Sequence, residues 1–220
     1  MRSSKAVKKA NKASADEIAA AVAIPKTLSV KDQTFYVRAK TSSSLIDSDK
    51  SHIWDLYEAN MRALVEPSSF GWDPLEKRKE LFHRDSRFIL VYPDDPDSQD
   101  STKSPSAPIA FSMFRFDMEE GDDVLYCYEL QVSKPFRSSG LGRFILDKLL
   151  MIGKHWGMAK VMLTVLKSNT LARQFYARNG FELDPTSPEY ESLTEGEQTT
   201  VGDNAIEEDG CDYEILSRAL

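Results

Sequence analysis

The stretch 126–142, YCYELQVSKPFRSSGLG, constrains the fold of this chain most strongly, because its side-chain pattern changes type halfway along. Up to Val132 the side chains alternate between two faces, which is typical of a β-strand. From Gly140 apolar side chains recur at helical spacing, which predicts a helix that ends near Trp156. The chain is therefore predicted to run from a strand, through a glycine-containing turn, into a helix.

The alternation divides the strand residues into two predicted faces. One face is predicted to carry Val124, Tyr126, Tyr128, Leu130 and Val132. The opposite face is predicted to carry Leu125, Cys127, Glu129 and Gln131.

The turn has the composition of an anion-binding loop. It contains the pattern R-x-x-G-x-G, from Arg137 to Gly142. A loop of glycines and small residues that leads into a helix leaves main-chain N–H groups free and adds the positive end of the helix dipole. Glycine also lets a pyrophosphate approach the backbone closely. Two close glycines are equally common in ordinary turns, so the pattern needs support from the rest of the chain.

The other elements alternate between strands and helices. Strands are predicted over residues 34–40, 87–92, 108–118, 160–166, 181–183 and 212–218. Further helices are predicted over residues 48–65, 74–82 and 168–178, the last ending at Asn179-Gly180. Several antiparallel strands with helices on both sides predict an α/β fold, with a mixed, mostly antiparallel twisted sheet flanked by helices.

The two ends of the chain differ in charge. Residues 1–30 form a basic, Ala-rich segment with a predicted helix that Pro25 ends. This segment fits a nuclear-import arm, a ribosome-contacting arm or, most simply, a solvated extension. Residues 31–220 are predicted to form one domain, with an exposed loop over 93–107 and a mobile acidic loop over about 185–210.

Charge and composition exclude several classes of function. The net charge of −7 argues against nucleic acid as the main ligand, while the acidic runs fit either solvated loops or attraction of a basic partner. No apolar run is long enough for a membrane span, and the N-terminus lacks an apolar signal core. The two cysteines and three histidines are scattered, so we expect a reducing compartment and no metal. We further expect a monomer, located in the cytoplasm and nucleus.

Two motifs then resemble one known superfamily. The R-x-x-G-x-G loop, following a strand that ends in Leu-Gln-Val, resembles the acetyl-CoA loop of the GCN5-related N-acetyltransferases (GNAT), and residues 168–181 resemble that superfamily's second cofactor segment. Residues 107–142 and 160–166, with the string YCYE, resemble NatD-type N-alpha-acetyltransferases more closely. Those enzymes acetylate the N-terminal serine of histone four and histone two-A. The resemblance covers residues 45–218 and implies the GNAT fold and acetyl-CoA as acetyl donor.

The resemblance implies a role for each matching position. Glu129 matches the glutamate that deprotonates or positions the incoming amine, with an ordinary solvent-facing carboxylate as the alternative. Tyr176 matches a tyrosine that protonates the leaving thiolate in many members, and packing in the core is the equal alternative. The cofactor-binding positions are Leu130, Gln131, Val132, Arg137, Ser138, Ser139, Gly140, Leu141, Gly142 and Asn169.

The substrate side is predicted from the same resemblance. Positions that line the peptide entrance match Asp117, Tyr126, Tyr128, Thr164 and Tyr213. Asp117 is predicted to bind the arginine of a Ser-Gly-Arg-Gly-Lys terminus, and the tyrosines to restrict the first residue to a small one. Core packing is the alternative, above all for Tyr126. The chain departs from the family at Val65, where an aromatic residue is common, and at Phe70, which replaces a tryptophan.

Three functions remain open from the sequence. The preferred one is acetylation of histone N-terminal serine, because an α-amine has a pKa near 8 and suits a carboxylate base near neutral pH. A lysine side chain or small amine on the same fold is an alternative, although the higher pKa of lysine suits a single glutamate less well. The third is a non-catalytic module that binds acetyl-CoA or histone tails.

Overall fold

An eight-stranded sheet runs through the computed structural model, which describes residues 4–30, 33–94, 106–190 and 211–220. The strands are β1 (Thr27–Val30), β2 (Gln33–Thr41), β3 (Arg87–Tyr92), β4 (Ala110–Glu119), β5 (Asp122–Val132), β6 (Lys160–Leu166), β7 (Glu182–Leu183) and β8 (Tyr213–Ala219). Their order is β1-β2-β3-β4-β5-β6-β8-β7, with β5 and β6 parallel and the other neighbours antiparallel. The predicted mixed, mostly antiparallel sheet is confirmed.

Helices cover both faces of this sheet. They are α1 (Lys5–Ala10), α2 (Ala15–Ala21), α3 (Asp47–Val65), α4 (Pro74–Leu81), α5 (Leu141–His155) and α6 (Thr170–Arg178). Apolar residues of α1, α2, α5 and α6 form one core cluster with the sheet, and those of α3 and α4 form a second cluster on the other face. No helix of the described ranges is both long and apolar enough to span a bilayer.

The N-terminal segment packs against the sheet. Val7, Ala10 and Ile18 lie fully within the core. The side chain of Asn11 donates to the carbonyl of Phe116 at 3.0 Å. The prediction of a solvated extension is therefore wrong for these residues. The apolar side chains on one side of the two short helices α1 and α2 are buried against a face of the sheet.

A β-bulge in β5 alters the predicted faces. The register against β4 shifts between Met113 and Phe114, which leaves Tyr128 as an extra residue in β5. Beyond the bulge, the side chain of Glu129 contacts α4 and that of Gln131 contacts α3. The side chains of Leu130 and Val132 pack on the opposite face, toward α5. The predicted alternation is wrong from Glu129 onward, because one inserted residue exchanges the two faces. The bulge places Glu129 on the same side as Tyr128.

The predicted acidic loop is described only at its start. Residues 191–210 lie outside the described residues, as do 95–105 of the other predicted loop. Asp184 is fully buried, and Lys160 of β6 donates to its Oδ2 at 2.7 Å. The main-chain N–H of Asp184 also donates to the carbonyl of Ile215 in β8 at 2.8 Å. This acidic residue therefore anchors the C-terminal strand.

Candidate active site

The parallel strands β5 and β6 separate beyond their first residues. Their pairing runs from Val124 opposite Lys160 to Cys127 opposite Leu163. β5 then continues to Val132, and within these fully described strands no further pairing joins the two. A gap therefore opens between them. It forms part of a groove of about 1280 Å³, referred to below as the groove.

Two residues of β5 direct main-chain groups into the gap. The N–H of Ser133 donates to the carbonyl of Ile109, next to β4, at 2.8 Å. Because alternate residues of an antiparallel strand bond to the same side, Gln131 also faces β4, whereas Leu130 and Val132 face the gap. Of the three β5 residues predicted to bind the cofactor, Leu130 and Val132 can therefore do so through their main chain, and Gln131 cannot. Gln131 instead contributes its side chain to the site.

The loop before α5 holds N–H groups without protein partners. Ser138 and Gly140 have φ values of 60° and 99°, in the left-handed region. Among the described residues, no main-chain acceptor is found for the N–H groups of Ser139, Gly140 and Gly142, and the N–H of Leu141 reaches only the hydroxyl of Ser139 at 3.5 Å. Free N–H groups at the start of a helix favour an anion.

The predicted side chains around this loop mainly shape it. Arg137 donates from Nη2 to Oδ1 of Asn60 in α3 at 2.9 Å. The hydroxyl of Ser139 donates to the carbonyl of Phe136 at 2.6 Å. The side chain of Asn169 caps α6 by accepting the N–H of Ala172 at 3.3 Å, and Asn169 lines the groove. Leu141 is buried at the start of α5 and contributes packing there.

Glu129 lies at the end of the gap with both carboxylate oxygens engaged. Its side chain is 7% exposed. Oε1 lies 2.7 Å from Nζ of Lys77, and Oε2 accepts from Nε2 of Gln131 at 2.7 Å. Lys77 also lies 2.7 Å from Glu80. The alternative of a solvent-facing carboxylate does not hold, since this one is buried and fixed in orientation by Lys77 and Gln131.

Aromatic and acidic side chains line the groove beyond this carboxylate. The hydroxyls of Tyr126 and Thr164 are hydrogen-bonded at 2.5 Å, and burial raises the pKa of Tyr126 to about 12. Arg115 lies over the ring of Tyr128, 4.4 Å from its centroid. Further lining side chains are Tyr57, Trp72, Glu80, Glu119 and Glu120. The groove therefore has a phosphate-compatible end at the α5 loop and an acidic, tyrosine-lined end beside Glu129.

Comparison with known proteins agrees with this geometry. A model of the Acetyltransferase (GNAT) family matches residues 53–181. The chain belongs to this family. It is therefore an acetyltransferase of GNAT type that uses acetyl-CoA.

Solved structures share the GNAT fold at low sequence identity. A GNAT-family protein from Desulfovibrio desulfuricans is 16% identical, with a TM-score of 0.56, covering 84% of this chain and 98% of its own. A chain of the NatC complex bound to Gag peptide and CoA is 17% identical, with a TM-score of 0.52 and the same coverages. Arabidopsis thaliana NAA60 with a bisubstrate analogue is 12% identical, with a TM-score of 0.51, covering 83% and 97%.

The groove of this GNAT domain fits a donor with a phosphate-bearing arm. Among the described residues, the N–H groups of Ser139, Gly140 and Gly142 have no main-chain acceptor, and Gly140 has no Cβ to keep a phosphate from them. On the edge of β5 that faces the gap, Leu130 and the N–H of Val132 can pair with the amides of an extended pantetheine arm as an added strand would. The carbonyl of Val132 already accepts from Asn60 and Arg137. These residues would hold acetyl-CoA with its thioester directed toward Glu129.

Gly140→Ala is expected to weaken acetyl-CoA binding selectively. A methyl group at a φ of 99° strains the loop and stands beside the phosphate position, so the KM for acetyl-CoA should rise about tenfold, which is 1.4 kcal/mol. Gly157→Ala is the matched control, because Gly157 has a φ of 74° at the opposite end of α5. Equal KM values in the two variants would remove the loop from cofactor binding.

Tyr176 lies in the wall of the groove and remains protonated. It is 8% exposed, and burial, with Cys127 and Glu129 nearby, raises the pKa of its hydroxyl well above the ordinary value. A neutral phenol beside the thioester can donate a proton to a departing thiolate. Burial also raises the pKa of the Cys127 thiol, so this cysteine stays neutral. The role of Tyr176 as general acid stays a prediction.

Two predicted substrate residues lie outside the described lining of the groove. Of the described residues, those that line the groove include Glu119 and Glu120 but neither Asp117 nor Tyr213. Asp117 accepts the N–H of Met118 at 2.9 Å. The ring of Tyr213 lies 5.0 Å from that of Phe70, which does line the groove. Their neighbours Glu119, Glu120 and Phe70 line the groove and can contact a peptide directly. The roles of Asp117 and Tyr213 in substrate binding stay predictions.

Sequence reasoning missed Lys77, Glu80 and Asn60. The sequence predicts α4 only as a charged helix, and nothing in its pattern distinguishes a lysine that points inward. Asn60 carries a usable signal, since it is a polar residue among the apolar positions of α3. No group of three metal-ligating side chains comes together in the described part of the chain.

Proposed function

We propose that this protein transfers the acetyl group of acetyl-CoA to the N-terminal serine of histone four and histone two-A, at Ser-Gly-Arg-Gly-Lys termini. The observation that carries this proposal is the buried carboxylate of Glu129, fixed at the end of a gap between parallel strands and faced by tyrosines and acids. The resemblance to NatD-type enzymes supplies the substrate, and the structure supplies a suitable surface for it.

Glu129 acts on the α-amine of the peptide. An α-ammonium has a pKa near 8, so a carboxylate can accept its proton, through one water, near neutral pH. The neutral nitrogen then attacks the thioester carbonyl, the carbon–sulfur bond breaks, and an amide forms. A main-chain N–H on the free edge of β5 can stabilise the oxyanion of the transition state. Tyr176 can protonate the departing thiolate, and the second proton that the nitrogen loses as the amide forms can restore its hydroxyl.

The wall of the groove favours a basic peptide with a small first residue. Tyr126, Tyr128 and Trp72 narrow the space next to Glu129. Glu80, Glu119 and Glu120 place negative charge around the path of the peptide, which favours the arginine and lysine of the proposed terminus. Two fold neighbours support a peptide substrate: a chain of the NatC complex, whose structure holds Gag peptide and CoA, and NAA60, whose structure holds a bisubstrate analogue.

A peptide panel tests the proposal. Ser-Gly-Arg-Gly-Lys peptides with a free and with a blocked α-amine are incubated with acetyl-CoA, and the acetylated position is located by mass-spectrometric fragmentation. We expect acetylation of the serine α-amine in the free peptide and none in the blocked one. Replacing the arginine and lysine by alanine should raise the peptide KM about tenfold, the usual worth of one charge-assisted contact.

Other outcomes identify the rival functions. Acetylation of lysine in the blocked peptide, without reaction at the free serine terminus, would establish a lysine acetyltransferase. Binding of acetyl-CoA or peptide without any transfer would establish a non-catalytic module. Either result contradicts the proposal.

A further inference from the structure

The reaction proposed above does not explain why a half-buried lysine contacts its base. Lys77 is on α4, and its side chain is 19% exposed. Its Nζ lies 2.7 Å from Oε1 of Glu129 and 2.7 Å from Oε2 of Glu80. It also lies 5.1 Å from the ring centroid of Tyr57. Burying an ammonium costs several kcal/mol unless it is paired, so this placement needs the two carboxylates.

The ionisable groups around Glu129 divide into neutral and charged ones. Three titratable groups face the base: Tyr57 of α3, Cys127 of β5 and Tyr176 of α6. Burial is the largest influence on each of them, and it raises the pKa of each. These groups are therefore neutral at the pH of catalysis. From β4, Arg115 lies over the ring of Tyr128 and also donates to the main-chain carbonyl of Glu80. The ion-paired side chains at the base are Lys77, Glu80 and Glu129.

We propose that Lys77 is a positioning residue for Glu129. Its ammonium fixes Oε1 while the amide of Gln131 fixes Oε2, so the carboxylate is held in one orientation toward the acetyl acceptor. Glu80 shares the ammonium, which limits how strongly Lys77 holds the base. The proposal rests on the catalytic role of Glu129 given above, and it does not depend on which amine is the substrate.

Lys77 is itself permanently charged in the working range. Burial, the largest single influence, lowers its pKa, but the carboxylates of Glu129 and Glu80 outweigh it and raise the pKa above the ordinary value. Lys77 therefore does not titrate between pH 5 and 9. A pH effect of changing it must act through a neighbour.

Lys77→Met and Glu80→Gln are expected to shift the acidic limb of the kcat/KM profile in opposite directions. Lys77→Met removes a positive charge beside Glu129, so protonation of that carboxylate becomes easier and the acidic limb of kcat/KM moves up by about one pH unit or more. Glu80→Gln removes a competing negative charge, so the limb moves to lower pH. Lys77→Arg keeps the charge and should retain the wild-type limb.

The measurements combine activity and direct titration. The pH profile of kcat/KM is recorded for each variant, and the side-chain carbon of Glu129 is titrated by NMR in free enzyme labelled with ¹³C-glutamate, with Glu129→Gln to assign its signal. The NMR titration needs no substrate. A failure of the histone proposal therefore appears as absent wild-type turnover, whereas a failure of this one appears as unmoved titration.

Lys79→Met is the matched control. Lys79 is two residues along the same helix, 72% exposed, and paired at the surface with Glu76 at 2.5 Å. We expect it to leave both the limb and the Glu129 titration in place. The proposal is overturned if Lys77→Met lowers activity without moving either, which would mean a packing role, or if Glu80→Gln moves them in the same direction as Lys77→Met.

Discussion

Glu129→Gln is expected to lower kcat by about 10²- to 10³-fold, the usual contribution of a general base. The amide is nearly isosteric with the carboxylate but cannot accept the proton of the α-amine. The KM for acetyl-CoA should stay within a factor of about two, because the loop at Gly140 and the free edge of β5 are untouched. Steady-state kinetics with acetyl-CoA and a free-amine peptide measure both constants.

A charge-matched control makes this result specific. Glu76 lines the same groove, yet it is 67% exposed and paired with Lys79. Glu76→Gln removes the same charge and should leave kcat near the wild-type value. If Glu129→Gln keeps near-normal turnover, or loses no more than Glu76→Gln, Glu129 is not the base.

Asp184→Asn is expected to destabilise the fold by roughly 3 kcal/mol at neutral pH, because it leaves the ammonium of Lys160, 15% exposed, without its buried partner. Burial, the largest influence, raises the pKa of Asp184, but hydrogen bonds from Lys160, Ser217 and Thr186 outweigh it and lower the pKa to about 2. The stabilisation is therefore complete above the unfolded-state pKa of about 3.9 and is lost as the pH falls toward 2.

The pH dependence can be measured by urea unfolding from pH 7 to pH 2. The wild type should lose about 2 kcal/mol over the acidic part of that range that Asp184→Asn does not lose. Asp122→Asn is the control, since Asp122 is 3.7 Å from the same lysine but 56% exposed, and it should change stability by less than about 0.5 kcal/mol. Parallel acid curves for wild type and Asp184→Asn would contradict the buried pair.

The elements that frame the site follow from local sequence. Alternation before Val132 and helical spacing after Gly140 predict β5, the loop and α5, because these segments bury apolar side chains with a regular period. The gap beside β5 follows only from the resemblance. The residue at which β5 and β6 stop pairing depends on contacts across the fold, so no local sequence pattern predicts it.

The details that sequence reasoning missed depend on contacts across the fold. The bulge at Tyr128 is invisible in a pattern that alternates without interruption, yet it decides which face Glu129 occupies. Lys77 is one of several charged residues on α4, and only the packing of that helix against β5 distinguishes it from Lys79. The burial of Asp184 likewise depends on the distant Lys160.

The most direct test of the central claim is a crystal structure with coenzyme A joined through an acetyl bridge to the α-nitrogen of a Ser-Gly-Arg-Gly peptide. The account predicts the pantetheine amides against Leu130 and Val132, the phosphates at the N–H groups of Gly140 and Gly142, and the α-nitrogen within one water of Glu129. It would be contradicted by phosphates bound elsewhere, or by β5 and β6 paired along their full length with no ligand between them.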